Sequence, residues 1–268
     1  MTRVFNIEGE DWVIKEGRWD WDSSFILDWL KIPFPADISD KVMSRFKLGF
    51  LPREETIKKH FKEYIELRKY LGYYENILDN NHPNLKEIIE TQKEIRQKAI
   101  GRVEEIEKHF KIKINKKINE VFESEEFFYN FLPKEYLVVG ESISPQNKSK
   151  DTYYIIQEQV KGRNMHDTKM SKLNQSQRKQ LAGIIYMTLV MIKDTGLIPD
   201  MKPKRINMAN HWLAKTDNLI WGKDGLKLVD TRWFWDYYKN PLRRGLIIPE
   251  LMVNSCKFYL NSTLKDVS

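Results

Sequence analysis

The chain has 268 residues, 41% hydrophobic and 31% charged, and 45 Lys and Arg against 38 Asp and Glu give it a net charge of +7. That length can bury a large core as one domain or two lobes, the composition excludes a disordered chain, and the positive balance favours acidic ligands such as nucleotides, nucleic acid or anionic surfaces. One cysteine, Cys256, excludes an internal disulfide and a cysteine-based zinc site, and without a long apolar stretch or an apolar leader in MTRVFNIEGEDW the expectation is a cytoplasmic chain with no membrane span.

Residues 2–17 predict two short strands around Glu8-Gly9-Glu10, with Lys15 on the face opposite Ile14. A lysine in such a place is usually a solvent or edge residue. Segment 19–50, rich in Trp and Pro, predicts loop with short helical turns. From Arg53 to Leu71 the apolar residues Ile57, Phe61, Tyr64, Ile65, Leu67 and Leu71 form a helical stripe stopped by Gly72, with Arg68 and Lys69 placed as the helix dipole prefers. A longer helical pattern follows over 84–122 through Ile88, Ile95, Ala99, Val103, Ile106 and Phe110, with a break near Lys111–Asn115. FKIKI at 110–114 fits that break or a strand equally.

Strand character returns in EYLVVGES (135–142) and TYYIIQEQV (152–160), and Lys161-Gly162 ends the second strand. A helix then spans about Asn174 to Asp194, with Ser176 as its N-cap and Gly196 as its stop. NLIW (218–221) and LKLV (226–229) flank GKDG, so they predict a hairpin. Its pairing brings Asn218 and Asp230 to one end. Residues 246–261 predict a closing helix. Strands, helix, helical insert, strands, long helix, hairpin and helix make an α+β chain.

An acid at Asp200 upstream, an Asn and an acid at the mouth of one hairpin are the residue types of a divalent-metal and phosphate site, because Mg²⁺ takes hard oxygen ligands. This arrangement resembles the catalytic core of the protein-kinase-like superfamily, which includes aminoglycoside- and choline-type phosphotransferases. YYIIQEQVKG (153–162) is similar to the family's last N-lobe strand and hinge, and IPDMKP (198–203) to its catalytic loop. The resemblance implies a two-lobed fold: an N-lobe over 1–160 holding the 53–71 helix and a helical insert at about 76–130, and a reduced C-lobe over 161–268. It implies that Asp200 is the catalytic base and that Lys202 neutralises the transferring phosphoryl group. Asn218 and Asp230 would hold Mg²⁺, with Asn207 and Asn210 as competitors for the Asn role. Lys15 would contact the ATP phosphates and Glu63 would orient it, while Gln157, the Glu158 carbonyl and the Val160 amide would border adenine.

The chain departs from the family's pattern in several places, among them Ile198 where the family has a histidine two before the base, a short region after Asp230 and the insert near 76–130. The glycine-rich phosphate loop is absent, residues 203–217 form a Lys- and Arg-rich insertion in the catalytic loop, and the acid-Phe-Gly motif becomes Asp230-Thr231-Arg232. The implied function is transfer of the γ-phosphoryl group of ATP, with Mg²⁺, to a hydroxyl of a small molecule or protein. The alternatives are a pseudokinase scaffold that binds nucleotide or a partner without transfer and, ranked last for want of any nucleic-acid motif, a basic nucleic-acid-binding module using residues 161–178 and 201–205.

Overall fold

The computed structural model describes residues 2–7, 9–16, 53–72, 85–141, 151–199, 218–231, 234–238, 248–265 and 267. Segment 19–50, Asp200, Lys202, Asn207, Asn210 and the rest of the 203–217 insertion lie outside the described residues.

β1 (Thr2–Ile7) and β2 (Glu10–Glu16) form the expected antiparallel pair, and Gly9 takes the φ of 86° that the turn needs. β3 (Glu135–Glu141) and β4 (Asp151–Glu158) complete a four-stranded antiparallel sheet in the order β1-β2-β4-β3. Residues opposite one another share a face. The registers Lys15↔Ile155, Val13↔Gln157 and Glu135↔Gln157 therefore put Lys15, Gln157 and Glu135 on one side of the sheet.

α1 (Arg53–Leu71) buries Tyr64, Leu67, Arg68 and Leu71. The long helical pattern after it is two helices, α2 (Leu85–Ile100) and α3 (Val103–Phe110), broken at Gly101-Arg102. Gly in a helix interior costs about 1 kcal/mol relative to Ala, and at the break Arg102 binds Asp194 through its two terminal guanidinium nitrogens, Nη1 and Nη2, at 2.8 and 2.6 Å. Residues 110–114 are not a strand. Lys111 closes α3 in the left-handed region (φ 53°), and Asn261 then pins the segment by donating to the Lys113 carbonyl and accepting from the Asn115 amide. α4 (Ile118–Phe122) and a 3-10 turn (Glu125–Phe128) lead back towards β3.

α5 (Gln175–Thr195) is the central element. Asn174, not Ser176, is its N-cap, in a capping box with Gln177, and Gly196 at φ 75° closes it. Every residue from Gln180 to Ile192 is buried, as expected of a helix apolar on all sides. Each large side chain there contributes about 1.5–3 kcal/mol by burial. The helices of the insert, α1 and the closing helix α6 (Ile248–Leu264) share one apolar core with it.

Around α5 lie two small sheets. β5 (Gly162–Asn164), β7 (Leu219–Gly222) and β8 (Gly225–Leu228) form one, in that order; β6 (Leu197–Pro199) and β9 (Phe234–Asp236) form the other. Gly162 opens β5 instead of merely ending the strand before it: a Cβ there would stand 1.9 Å from the Trp221 carbonyl oxygen. The chain is thus mixed α and β, as its sequence predicts. Among the described residues no helix is long and apolar enough to cross a membrane.

Candidate functional site

The hairpin forms as its sequence predicts. Leu219 pairs with Leu228, and Lys223-Asp224 make the turn, followed by Gly225 at φ 94°. Lys223 and Asp224 are not among the positive-φ residues, so the Asp-Gly pair does not itself form a type I′ turn. The Val229 amide donates to the Asn218 carbonyl at 2.8 Å, and this bond brings Asn218 and Asp230 to the open end.

Several contacts fix that hairpin to the rest of the molecule. On its outer edge the Leu228 amide donates to the Phe131 carbonyl at 2.7 Å, and the Phe131 amide donates to the Leu71 carbonyl at 2.9 Å. Below it, Gln180 on α5 accepts from the Leu226 amide at 3.0 Å. Lys227 donates to the Asn130 carbonyl at 2.6 Å and lies over the Tyr129 ring, and burial lowers its pKa.

Lys15 does not lie at a solvent edge. It is 7% exposed, and its ammonium donates to Gln157 Oε1 at 2.8 Å and to the Val229 carbonyl, next to Asp230. Gln157, 2% exposed, turns its amide to Glu135 Oε2 at 2.8 Å. Glu135 is the centre of a buried polar group. Arg68 Nη2 stands 3.3 Å from Oε1, the Thr231 hydroxyl donates to Oε2 at 3.3 Å, and the Tyr64 hydroxyl, which itself accepts from Arg68 Nε at 2.8 Å, also bonds to the carboxylate. Burial pushes the Glu135 carboxyl above the usual carboxylate range, opposed by Arg68 first and then by Lys15, Tyr64 and Gln157.

Glu63 pairs with Lys59 one turn before it, at 3.5 Å. The Glu158 side chain accepts from the Lys134 amide at 3.0 Å, and its own amide donates back to the Lys134 carbonyl at 2.9 Å. Val160 lies in the link from β4 to β5, half-buried against Gly222. β6 ends at Pro199, opposite Phe234, one residue before Asp200. Among the described residues no group of three or more His, Cys, Asp or Glu converges as a metal site would. Of the basic residues at 161–178, Arg178 is buried and bonded to the Leu173 and Met170 carbonyls, and Lys161 pairs with Asp11 at 2.5 Å.

Sequence reasoning missed Tyr64, Arg68, Glu135 and Thr231. One signal was present: by strand alternation Glu135 shares a face with Leu137 and Val139, and a carboxylate on an apolar face needs partners. Comparison of the chain with family models, with curated proteins and with solved structures finds no match in any of the three.

Proposed function

We propose that the protein is an ATP- and Mg²⁺-dependent phosphotransferase of protein-kinase-like type, acting on a hydroxyl of a small molecule or protein. One observation carries the reading. Lys15, from the second strand of the chain, donates to the carbonyl of Val229, beside Asp230 at the mouth of the hairpin that also presents Asn218. A phosphate-binding cation next to two hard oxygen ligands is what phosphoryl transfer requires, since its catalysis is mainly positioning and charge neutralisation. The β1-β2-β4-β3 sheet with α1 between β2 and β3, the β7-β8 hairpin and the β6-β9 pair fit a two-lobed arrangement of that type. In this reading Asn218 and Asp230 hold Mg²⁺, Lys15 faces the phosphates, Asp200 takes the acceptor proton and Lys202 offsets charge on the transferring group. Gln157, Glu158 and Val160 lie along the adenine side, and Glu63 stands behind Lys15.

A second reading, a pseudokinase scaffold, is favoured by the engagement of Lys15 with Gln157 and Val229 at 7% exposure. Titration calorimetry and thermal shift with ATP, GTP and Mg²⁺, run beside a turnover assay on wild type, Asp200→Ala and Asp230→Ala, separate the two. The phosphotransferase reading expects Mg²⁺-dependent binding that Asp230→Ala loses and turnover that both variants lose. Nucleotide binding with no turnover across a panel of acceptors selects the scaffold. Stable protein that neither binds nor turns over nucleotide removes both.

A further inference from the structure

We propose that Glu135 is the positioning residue of the candidate site, holding the backbone on both sides of Asp230 from the face of the sheet that it shares with Lys15 and Gln157. Two arms leave its carboxylate. One runs through Gln157, at 2.8 Å, to Lys15, also at 2.8 Å, and from Lys15 to the Val229 carbonyl. The other is direct, the Thr231 hydroxyl at 3.3 Å. Val229 and Thr231 are the two neighbours of Asp230, so the arms close on the residue before it and the residue after it.

The chemistry of each link explains the choice of side chains. The side-chain amide of Gln157 accepts from the lysine ammonium with its oxygen and donates to the carboxylate with its nitrogen, so it joins a cation to an anion without adding charge. Thr231 is fully buried, and its hydroxyl would be costly there without an acceptor; Glu135 provides one. This gives the Thr in Asp230-Thr231-Arg232 a task. Arg68 at 3.3 Å and Tyr64 occupy the opposite side of the carboxylate, so Glu135 is itself held in place from α1. Hydrogen bonds in such a buried network are strengthened by the low local dielectric and rigidify the segments they join. Groups that orient a metal ligand from behind typically matter by 10- to 100-fold in affinity.

The role of Asp230 as a Mg²⁺ ligand rests on the phosphotransferase reading; the hold on residues 229–231 does not. The test therefore has two readouts on the intact chain, with Thr231→Val, Thr231→Ser, Glu135→Gln and the Glu135→Gln/Thr231→Val double variant. The first is the Kd for Mg²⁺ at saturating ATP, alongside the urea midpoint. Thr231→Val is isosteric and is expected to weaken Mg²⁺ about tenfold or more with a folded protein, Thr231→Ser to restore the wild-type value, and the double variant to be no weaker than Glu135→Gln. Unchanged Mg²⁺ affinity in Thr231→Val and Glu135→Gln, or a Ser variant as weak as the Val variant, overturns the proposal. The second readout is amide hydrogen exchange at residues 230 and 231, which decides the matter if the wild type binds no Mg²⁺-ATP and the phosphotransferase reading falls. Faster exchange in Thr231→Val and Glu135→Gln but not in Thr231→Ser supports the hold; equal exchange in all variants overturns it.

Discussion

Lys15 and Val229 stand 214 positions apart in the chain and are joined by a hydrogen bond from the lysine ammonium to the backbone carbonyl. The same ammonium binds Gln157, so one side chain ties the N-terminal hairpin, the last strand of the sheet and the 218–230 hairpin together. Lys15→Met keeps the aliphatic bulk and leaves both acceptors without this donor. It should cost about 1–3 kcal/mol, the range for stranding buried hydrogen-bonding groups, in urea unfolding. A midpoint equal to wild type would show that the contact is absent in solution.

The end of α1 is finished by the insert. Gln92 donates to the Arg68 and Gly72 carbonyls at 2.7 and 2.9 Å, and Arg96 donates to the carbonyls of Gly72 and Tyr129, both at 3.2 Å, and of Tyr70 at 3.5 Å. Terminal helix carbonyls need such donors, and a cation at a helix C-terminus is favoured. Arg96→Met should destabilise by about 2–3 kcal/mol, as hydrogen bonds from a charged group are the stronger kind. Calorimetric melting of the variant would detect a loss of that size.

Gly162 marks the closest approach of two backbones. Its missing Cβ would lie 1.9 Å from the Trp221 carbonyl oxygen and 3.0 Å from the Gly222 Cα. Gly162→Ala should force β5 off β7 and cost at least about 2 kcal/mol. Gly9→Ala meets nothing within 4 Å and carries only the strain of its φ of +86°, about 1–2 kcal/mol. A Gly9 variant less stable than the Gly162 variant would refute the ranking.

Arg102 first, then Lys193, holds the Glu105 carboxyl down at about 2. A carboxyl with a depressed folded-state pKa stabilises the protein above its unfolded-state pKa and loses that contribution as pH falls through the folded value. Urea midpoints of wild type and Glu105→Gln should therefore differ at pH 5, converge between pH 4.5 and 2, and coincide below. The difference should be small, because the carboxylate is largely exposed and solvent screens the pair. A gap that widens on acidification contradicts the sign.

Cys256 faces the core from α6, and burial pushes its thiol up to about 12. The thiolate is the reactive species, so a disulfide reagent at pH 8 should leave the native chain unmodified and label one thiol per chain in denaturant. Rapid labelling of native protein would place α6 off the core.

Much of the fold is legible locally. The glycine at 196 and the hairpin flanking GKDG each state their own structure in a few residues, whereas the N-cap of α5 falls on Asn174 and not on the expected Ser176. The three-residue strands β6 and β9 were not legible, since LIP and FWD are too short to show alternation and are defined by each other. Arg68 misled for a physical reason. At a helix end a cation complements the dipole whatever else it does, and only the fold reveals Glu135, 67 positions on, as its partner. The hairpin's two polar ends were visible in the sequence as neighbours, but the residues behind them come from β2, α1, β3 and β4, and no local spacing announces such a meeting.

β2 is complete by Glu16, yet its neighbour β4 begins at Asp151 and Val229 comes later still. A ribosome therefore releases the first two strands long before the strand that covers their inner edge. A lone two-stranded ribbon is marginal in water, and an unpaired edge invites other chains. The nascent β1-β2 pair should accordingly depend on chaperones until β4 emerges, and nonsense truncations between residues 16 and 151 should aggregate, whereas the candidate site is closed only once residues 229–231 have followed.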